Sequence, residues 1–258
     1  MPLQTLVLDL RPPLAIVTLN RPERNNRIDR QMIEELRSVV TDFGDEGLIR
    51  AVIITGTDAV FSAGWDSELL LDVRLLPQRR DASLATGFQF LADAPLPVIA
   101  AVNGEALSAG FELALACDLR VAASTARFGF PETIDDRLPM AGGTQRLARI
   151  AGRAMALELI LTGESIDAPT AFGRGIVTVV TAGDTLLDEA IRLASLIASR
   201  GPIAVRLGKE AIHQGLDMPL EQALRYETDL TVLLQTTHDR AEGVQAFVEK
   251  RSPRFEGR

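Results

Sequence analysis

The sequence predicts an α/β protein, with a core in which strands alternate with helices and a helical region after it. Two short segments, Ala51–Thr55 (AVIIT) and Val98–Val102 (VIAAV), are apolar throughout, which is typical of parallel strands covered on both faces. Amphipathic helical segments follow without an intervening strand pattern from about residue 184. We therefore divide the chain into a core, residues 1–183, and a helical C-terminal region, residues 184–258.

The first elements follow from β-forming residues, a helix cap and turn residues. Leu14–Leu19 is rich in β-formers, and Asn20-Arg-Pro22 ends it. Asp29 suits the N-cap of a helix, and Gly44 and Gly47 mark the end of that helix. The apolar residues between them recur at helical spacing: Met32, Ile33, Leu36, Val39, Val40 and Phe43.

The alternation continues through the rest of the core. A glycine-containing loop, Phe61–Asp66, precedes a helix predicted from about Ser83 to Asp93. Ala106–Cys117 is predicted to be a helix, and Leu119–Ala123 a strand. The helices predicted for the C-terminal region are Leu186–Arg200, Pro202–Leu216, Leu220–Leu234 and Arg240–Lys250.

Composition excludes several classes of function. The 27 basic and 35 acidic residues of the 258-residue chain give a net charge of −8, which argues against broad nucleic-acid binding. Cys117 is the single cysteine and lies in an apolar run, so we expect a buried thiol and no metal cluster. The N-terminal apolar runs are broken by Asp9 and Arg11, unlike a signal peptide or membrane span. We expect a cytoplasmic protein without a cofactor, membrane or nucleic-acid partner.

One carboxylate lies within the apolar helix. Ser108 and Glu112 are its only polar residues and share one face, whereas a surface helix would carry a broad polar face. We therefore expect the helix to be buried. A buried carboxylate must be paired, protonated or functional, so Glu112 is either a hydrogen-bonded structural residue or a catalytic one.

The start of that helix favours catalysis. Ser108-Ala109-Gly110 follows a strand and a turn, and its small side chains would let a ligand approach the backbone. The first N–H groups of a helix lack internal partners, and the helix dipole favours negative charge there. These donors, with a carboxylate one turn further on, suit the activation of a carbonyl group.

A second carboxylate, Glu132, follows Pro131 and is expected on a turn. Such a turn is usually solvated, and its spacing from Glu112 does not make the two a pair. Its neighbours Asp135, Asp136 and Arg137 are compatible with a solvated charge cluster.

Four ordered stretches and the tail resemble the crotonase superfamily, also called the enoyl-CoA hydratase/isomerase family, over essentially the whole chain. They are Leu19-Asn-Arg-Pro22; Phe61-Ser-Ala-Gly-Trp-Asp66; Pro97–Gly104 running into Ser108–Ala114 and Cys117-Asp118; Phe128-Gly-Phe-Pro-Glu132 with Pro139–Leu147; and Ala246–Arg251. The resemblance implies a spiral of ββα units with a C-terminal helical region that assembles into trimers or dimers of trimers.

The resemblance also implies a chemistry. Members bind acyl-CoA thioesters and stabilise an enolate, and the backbone N–H groups of Trp65 and Ala109 match the oxyanion donors. Glu132 matches the acid/base at the α-carbon, and Glu112 the group that orients water for the β-carbon. Retention of both glutamates favours an enoyl-CoA hydratase, a lyase that adds water syn. An isomerase or another enolate-stabilising lyase or hydrolase is the alternative, and a non-catalytic binding protein is the third.

The chain departs from the family pattern near the expected pocket. Ser108-Ala109-Gly110 stands where many hydratases have three glycines, and Met140 replaces a glycine. The bulk of Trp65 would shape an acyl pocket, although packing alone would also explain it. The remaining pocket candidates are Ala63, Gly64 and Gly110, and the candidates for the coenzyme A phosphates are Arg24, Arg27, Lys250 and Arg251, each of which could also be solvated surface charge.

Overall fold

Two sheets form the centre of the computed structural model, which describes residues 3–71 and 87–258. The larger sheet has the order β1-β2-β3-β5-β7-β10, with β1 antiparallel to β2 and the other pairs parallel. Its strands are β1 (Leu6–Arg11), β2 (Leu14–Leu19), β3 (Ala51–Gly56), β5 (Val98–Val102), β7 (Leu119–Ala123) and β10 (Val179–Thr181). The smaller sheet is β4 (Val60–Ser62), β6 (Glu105–Leu107), β8 (Arg127–Gly129) and β9 (Ser165–Asp167).

Helices cover these sheets and form the C-terminal part of the chain. Within the described residues the α-helices are α1 (Arg30–Glu46), α2 (Ser67–Leu71), α3 (Gln89–Ala92), α4 (Ala109–Ala116), α5 (Gly143–Thr162), α6 (Ala168–Gly173), α7 (Leu186–Ala198), α8 (Pro202–Gly215), α9 (Leu220–Gln235) and α10 (His238–Glu249). Short 3-10 helices lie at Pro22–Arg24, Pro131–Asp135 and Gly183–Thr185. None of the described helices is long and apolar enough to cross a membrane.

Successive strand pairs build a spiral. In the pairs β3–β4, β5–β6 and β7–β8, the first strand joins the larger sheet and the second joins the smaller one. A helix follows each of the first two pairs, and a 3-10 turn and α5 follow the third. The predicted α/β class and spiral of ββα units are therefore confirmed.

The core lies on both faces of the larger sheet, as the apolar strands predicted. All five residues of β5 are buried between β3 and β7. One face packs towards the smaller sheet, α1 and α4, and the other is covered by four small or apolar residues of α7: Leu186, Ala190, Ala194 and Ala198. The first helix of the C-terminal region is thus part of the core packing, while the division of the chain at residue 183 stays a prediction.

A partly buried ion pair joins α8 to this core. The Lys209 ammonium donates to the Asp118 carboxylate at 2.8 Å and to the carbonyl oxygens of Leu91 and Leu96 at 3.2 Å each. The same Asp118 carboxylate accepts from the N–H of Val98 at 2.8 Å. The C-terminal helices are therefore joined to the strand that leads to the glutamate-bearing helix.

Several predicted boundaries were wrong. The helix expected over Ala106–Cys117 begins only at Ala109, because Glu105–Leu107 pairs with β4 and β8 as a strand. Gly44 lies inside α1, and Gly47, at φ +69°, ends that helix. Of the helix predicted from Ser83 to Asp93, Gln89–Ala92 is helical, and the first part lies outside the described residues.

Other local predictions are confirmed. The Asp29 side chain accepts a hydrogen bond from the N–H of Met32 at 2.8 Å, and the whole apolar stripe of α1 is buried. Cys117 is buried, and this burial raises the pKa of its thiol to about 12.

Candidate active site

Glu112 lies at the centre of a fully buried helix. Every residue of α4 is buried, and the Glu112 side chain has no exposed surface. Its Oε1 accepts hydrogen bonds from the N–H groups of Ala141 at 2.7 Å and Gly143 at 2.8 Å. Its Oε2 is buried without a hydrogen-bond partner among the described residues. One oxygen is therefore fixed and the other is free to meet a ligand.

Burial sets the protonation of this carboxyl. Desolvation raises the pKa of Glu112 to about 7, and the negative charge of Glu132 adds to the rise. The two backbone donors and the Arg146 guanidinium act in the opposite direction. Glu112 is thus able to exchange a proton near neutral pH.

The turn before α5 is shaped to reach Glu112. Gly142 has φ +100°, a conformation that glycine adopts without steric penalty. A Cβ on Gly143 would come within 2.5 Å of the Phe130 ring and 3.0 Å of Glu112 Cγ. The glycine pair lets the backbone approach the carboxylate closely enough to donate to it.

Glu132 is buried in the 3-10 helix Pro131–Asp135, with 1% of its surface exposed. Neither of its carboxylate oxygens has a hydrogen-bond partner among the described residues. Burial raises the pKa of Glu132. The nearby Ser108 hydroxyl and the positive charge of Arg137 both oppose this rise. The Ser108 hydroxyl does not reach hydrogen-bond geometry with the carboxylate. The neighbouring Asp135 and Asp136 are exposed, so the charge cluster is solvated and Glu132 alone points inwards.

Glu112 and Glu132 face one site, although their spacing in sequence did not predict it. The charge of Glu132 acts on the pKa of Glu112, and Ser108, one turn before Glu112, lies beside Glu132. Glu112 Oε2 and both oxygens of Glu132 are thus buried without a hydrogen-bond partner among the described residues, and the charges of the two groups interact.

The loop after β4 packs against the start of α4. A Cβ on Gly64 would come within 2.6 Å of Ser108 Cβ, and one on Gly110 within 2.4 Å of the Ser62 carbonyl oxygen. The peptide that carries the Trp65 N–H therefore lies beside the first residues of α4, which include Ala109. The two backbone N–H groups matched to the oxyanion donors belong to these adjoining segments.

Hydrogen bonds fix this loop. Ile28 donates its N–H to the Gly64 carbonyl at 2.8 Å and accepts from the Asp66 N–H at 2.9 Å, so this pairing does not involve the Trp65 N–H that lies between them. Arg27 Nη1 donates to the Trp65 carbonyl at 2.9 Å. Sequence reasoning assigned Arg27 to a phosphate, and the structure gives its side chain this loop contact.

The Trp65 side chain lies between the loop and α3. It is buried and stacks on Phe88 with ring centroids 6.1 Å apart and an interplanar angle of 11°. Its indole Nε1 has no partner among the described residues.

The four pocket candidates differ in burial. Gly64 and Gly110 are buried, and Ala63 is partly buried and donates its N–H to the Asn25 carbonyl at 3.0 Å. Met140 is 36% exposed and directly precedes Ala141, the first donor to Glu112.

The remaining phosphate candidates lie on two different parts of the surface. Arg24 is half exposed beside the loop and lies 3.6 Å from Glu68. Lys250 is exposed at the end of α10, where its backbone is left-handed. Arg251 forms ion pairs with Glu242 and Glu249, at 2.6 Å in each case.

Sequence reasoning missed the backbone donors of Ala141 and Gly143. The available signal was the glycine pair immediately before a helix, because such a pair permits a close backbone approach. It also missed Arg146, whose contacts depend on the folded turn.

Comparison with known proteins agrees with this geometry. The family model described as enoyl-CoA hydratase/isomerase matches residues 11–258. The crotonyl-CoA hydratase of Syntrophomonas wolfei is 38% identical over 98% of both chains, and the 2,3-dehydroadipyl-CoA hydratase of Escherichia coli is 39% identical over 98% of this chain and 99% of its own. The crystal structure of an enoyl-CoA hydratase from Bacillus anthracis superposes with a TM-score of 0.91 at 39% identity, covering 99% of this chain and all of that one.

The chain belongs to the enoyl-CoA hydratase/isomerase family, that is, to the crotonase superfamily, as its motifs predicted. The full-length matches also confirm the predicted class of enzyme, an enoyl-CoA hydratase and therefore a lyase.

Proposed function

We propose that this protein adds water syn across the double bond of a 2-enoyl-CoA thioester to give a 3-hydroxyacyl-CoA. The observation that carries this proposal is the pair of buried carboxylates, Glu112 and Glu132, which between them have three unpartnered oxygens. Both have a raised pKa caused mainly by burial. A structural pair would have these oxygens satisfied by donors, whereas water and substrate would satisfy them here.

In this proposal the thioester oxygen accepts hydrogen bonds from the N–H groups of Trp65 and Ala109. Negative charge grows on that oxygen as the enolate forms, so donors fixed in advance stabilise the transition state by roughly 3 kcal/mol each. The close packing of Gly64 against Ser108 supports this assignment, because it keeps the two donor segments together.

The two carboxyl groups divide the proton transfers. Ionised Glu112 takes a proton from the water through Oε2 while the water oxygen bonds to the β-carbon. Protonated Glu132 gives its proton to the α-carbon, and the enolate collapses to the thioester. The proton gained by Glu112 then returns to Glu132, so atoms and charge balance over one turnover.

The similarity to these relatives does not narrow the acyl group of the substrate to one chemical type. The two named relatives act, by their names, on crotonyl-CoA and 2,3-dehydroadipyl-CoA, and their identities to this chain are nearly equal. We propose that Trp65 and Met140 shape the acyl pocket with Ala63, Gly64 and Gly110. Arg24 and Lys250, which are exposed, are better phosphate candidates than Arg27, whose side chain is engaged.

We further propose a cytoplasmic homotrimer or dimer of trimers, assembled through the C-terminal helices and working without a cofactor. Large apolar side chains exposed on α9 and α10 support this assembly: Leu224, Val232, Leu233, Val244, Phe247 and Val248. Light scattering coupled to gel filtration tests it, with Phe247→Asp expected to yield monomers and Phe172→Asp, on α6, to leave the assembly intact.

The reaction is tested by following the loss of conjugated-thioester absorbance with crotonyl-CoA and with longer, branched and dicarboxylic enoyl-CoAs. Wild type should give a product heavier by one water, and Glu112→Gln and Glu132→Gln should not. Glu105→Gln, an exposed glutamate on neighbouring β6, is the matched control. A product of unchanged mass would show an isomerase instead.

A further inference from the structure

Arg146 lies near the start of α5 and forms hydrogen bonds with the Ala141–Gly143 turn, which precedes that helix, and with α3. Its Nη1 donates to the Ala141 carbonyl at 2.8 Å, and its Nη2 donates to Gln89 Oε1 at 2.8 Å. A Cβ on Gly142 would come within 2.3 Å of Nη1, so the guanidinium packs directly on the turn. Arg146 is therefore in contact with both the turn and the first residue of α3.

The Ala141 carbonyl, which accepts from Arg146, lies in the chain between the two N–H groups that donate to Glu112. The Ala141 N–H donates to Glu112 Oε1, the Ala141 carbonyl accepts from Arg146, and the Gly143 N–H donates to the same Oε1. The turn is thus held from one side by a cation and from the other by a carboxylate. The three contacts belong to three successive peptide groups, so the turn is held at each of them.

The other end of the guanidinium contacts α3. Gln89 begins α3, and a Cβ on Gly87, just before it, would come within 2.4 Å of the Ala141 carbonyl oxygen. Arg146 therefore joins α3, α5 and the turn at one point. A planar guanidinium can hold two acceptors in a fixed geometry, which a lysine ammonium on a flexible stem does not reproduce.

We propose that Arg146 is a positioning residue for hydration, which holds the Ala141–Gly143 turn so that both backbone donors stay on Glu112 Oε1 and Oε2 stays free for water. The proposal rests on the proposed function, since it assigns Arg146 a role through Glu112. Arg146 itself does not touch the reacting atoms.

The expected kinetic effect is on turnover and its pH dependence. Arg146→Gln should lower kcat roughly tenfold to a hundredfold, in line with other residues that orient reactive groups, and leave KM nearly unchanged. The acidic limb of the pH–rate profile of Arg146→Gln should move to higher pH, because loss of the cation and looser donors both raise the pKa of Glu112 further. Arg146→Lys keeps the charge and loses the fork, so kcat should fall while the acidic limb moves less than in Arg146→Gln.

Two further variants keep the test decisive. Arg149→Gln, one turn later on the exposed face of α5, is the matched control and should retain wild-type kcat. Gln89→Leu removes the far contact of Arg146, together with the exposed hydrogen bond from Gln89 to Asp93, and should lower kcat in the same direction by a smaller factor, even if Arg146→Gln does not fold.

A titration separates this proposal from the proposed function. The pKa of Glu112 can be followed by carboxylate NMR, assigned with Glu112→Gln, without any turnover. If wild type hydrates no thioester, the proposed function fails, and an upward shift of that pKa in Arg146→Gln still supports the positioning role. An unchanged titration, or a folded Arg146→Gln with wild-type kcat and pH profile, would overturn it.

Discussion

Replacement of Glu112 by glutamine should stabilise the protein, by an amount that grows with pH. Burial raises the pKa of Glu112 from 4.5 to about 7, so the folded state resists its ionisation. At about 1.4 kcal/mol for each unit of pKa, this corresponds to about 3 kcal/mol of lost stability once the side chain is ionised in both states.

The sign follows from the proton balance. Between pH 4.5 and about 7 the folded state keeps a proton on Glu112 that the unfolded state has released, so stability falls as pH rises through this window. Glutamine does not titrate, and its Oε1 can still accept from Ala141 and Gly143. The advantage of Glu112→Gln should therefore be small near pH 4.5 and reach its full size above about pH 7.

Urea unfolding of wild type and Glu112→Gln across this pH range, at one fixed protein concentration, measures the difference. Glu105→Gln, which is exposed, should run parallel to wild type at every pH. Parallel curves for wild type and Glu112→Gln would refute the reasoning, because they would mean that the folded and unfolded states bind protons equally at this residue.

Three further predictions follow from other contacts. Gly143→Ala places a methyl group 3.0 Å from Glu112 Cγ and should lower kcat roughly a hundredfold in steady-state assays, as small displacements of reactive groups do; full activity would contradict the close approach. Lys209→Met removes one partner of the partly buried Asp118 carboxylate, which keeps the Val98 N–H and His213, and should lower the free energy of unfolding by about 2 kcal/mol in urea titrations; a neutral result would show that the pair is solvated. Arg24→Ala should raise KM for an enoyl-CoA without changing kcat, because a phosphate contact far from the reacting carbons binds ground and transition states alike; an unchanged KM would remove Arg24 as a phosphate ligand.

The strands and helices with strong periodicity could be predicted from sequence alone, and the short paired segments could not. Val98–Val102 was located to the residue because a short, uninterrupted apolar run is typical of a strand buried on both faces, and Leu119–Ala123 was located as well although Arg120 interrupts its apolar residues. Glu105–Leu107 is only three residues long, and its identity as a strand depends on pairing with Val60–Ser62 and Arg127–Gly129. Such pairing is decided by the tertiary structure and leaves no local pattern.

The residues of the site, like the elements of the fold, could be predicted only where the sequence carries a local signal. The burial of Glu112 followed from the apolar helix around it, which is local information. The burial of Glu132 did not, since a proline-glutamate turn is usually solvated, and the family resemblance supplied its pairing with Glu112. The contact of Glu112 with Ala141 spans 29 residues, and that of Arg146 with Gln89 spans 57, so neither has a signature in the sequence between them.

The turn at Ala141–Gly143 explains how one carboxyl can be both oriented and basic. Without donors, burial alone would leave Glu112 fully protonated and unable to take a proton at neutral pH. Two further donors on Oε2 would favour the ionised form and occupy the lone pairs that water needs. Two donors on Oε1 and none on Oε2 give a pKa of about 7 and one free oxygen. The residues that hold this turn therefore act on Glu112 through its two backbone donors.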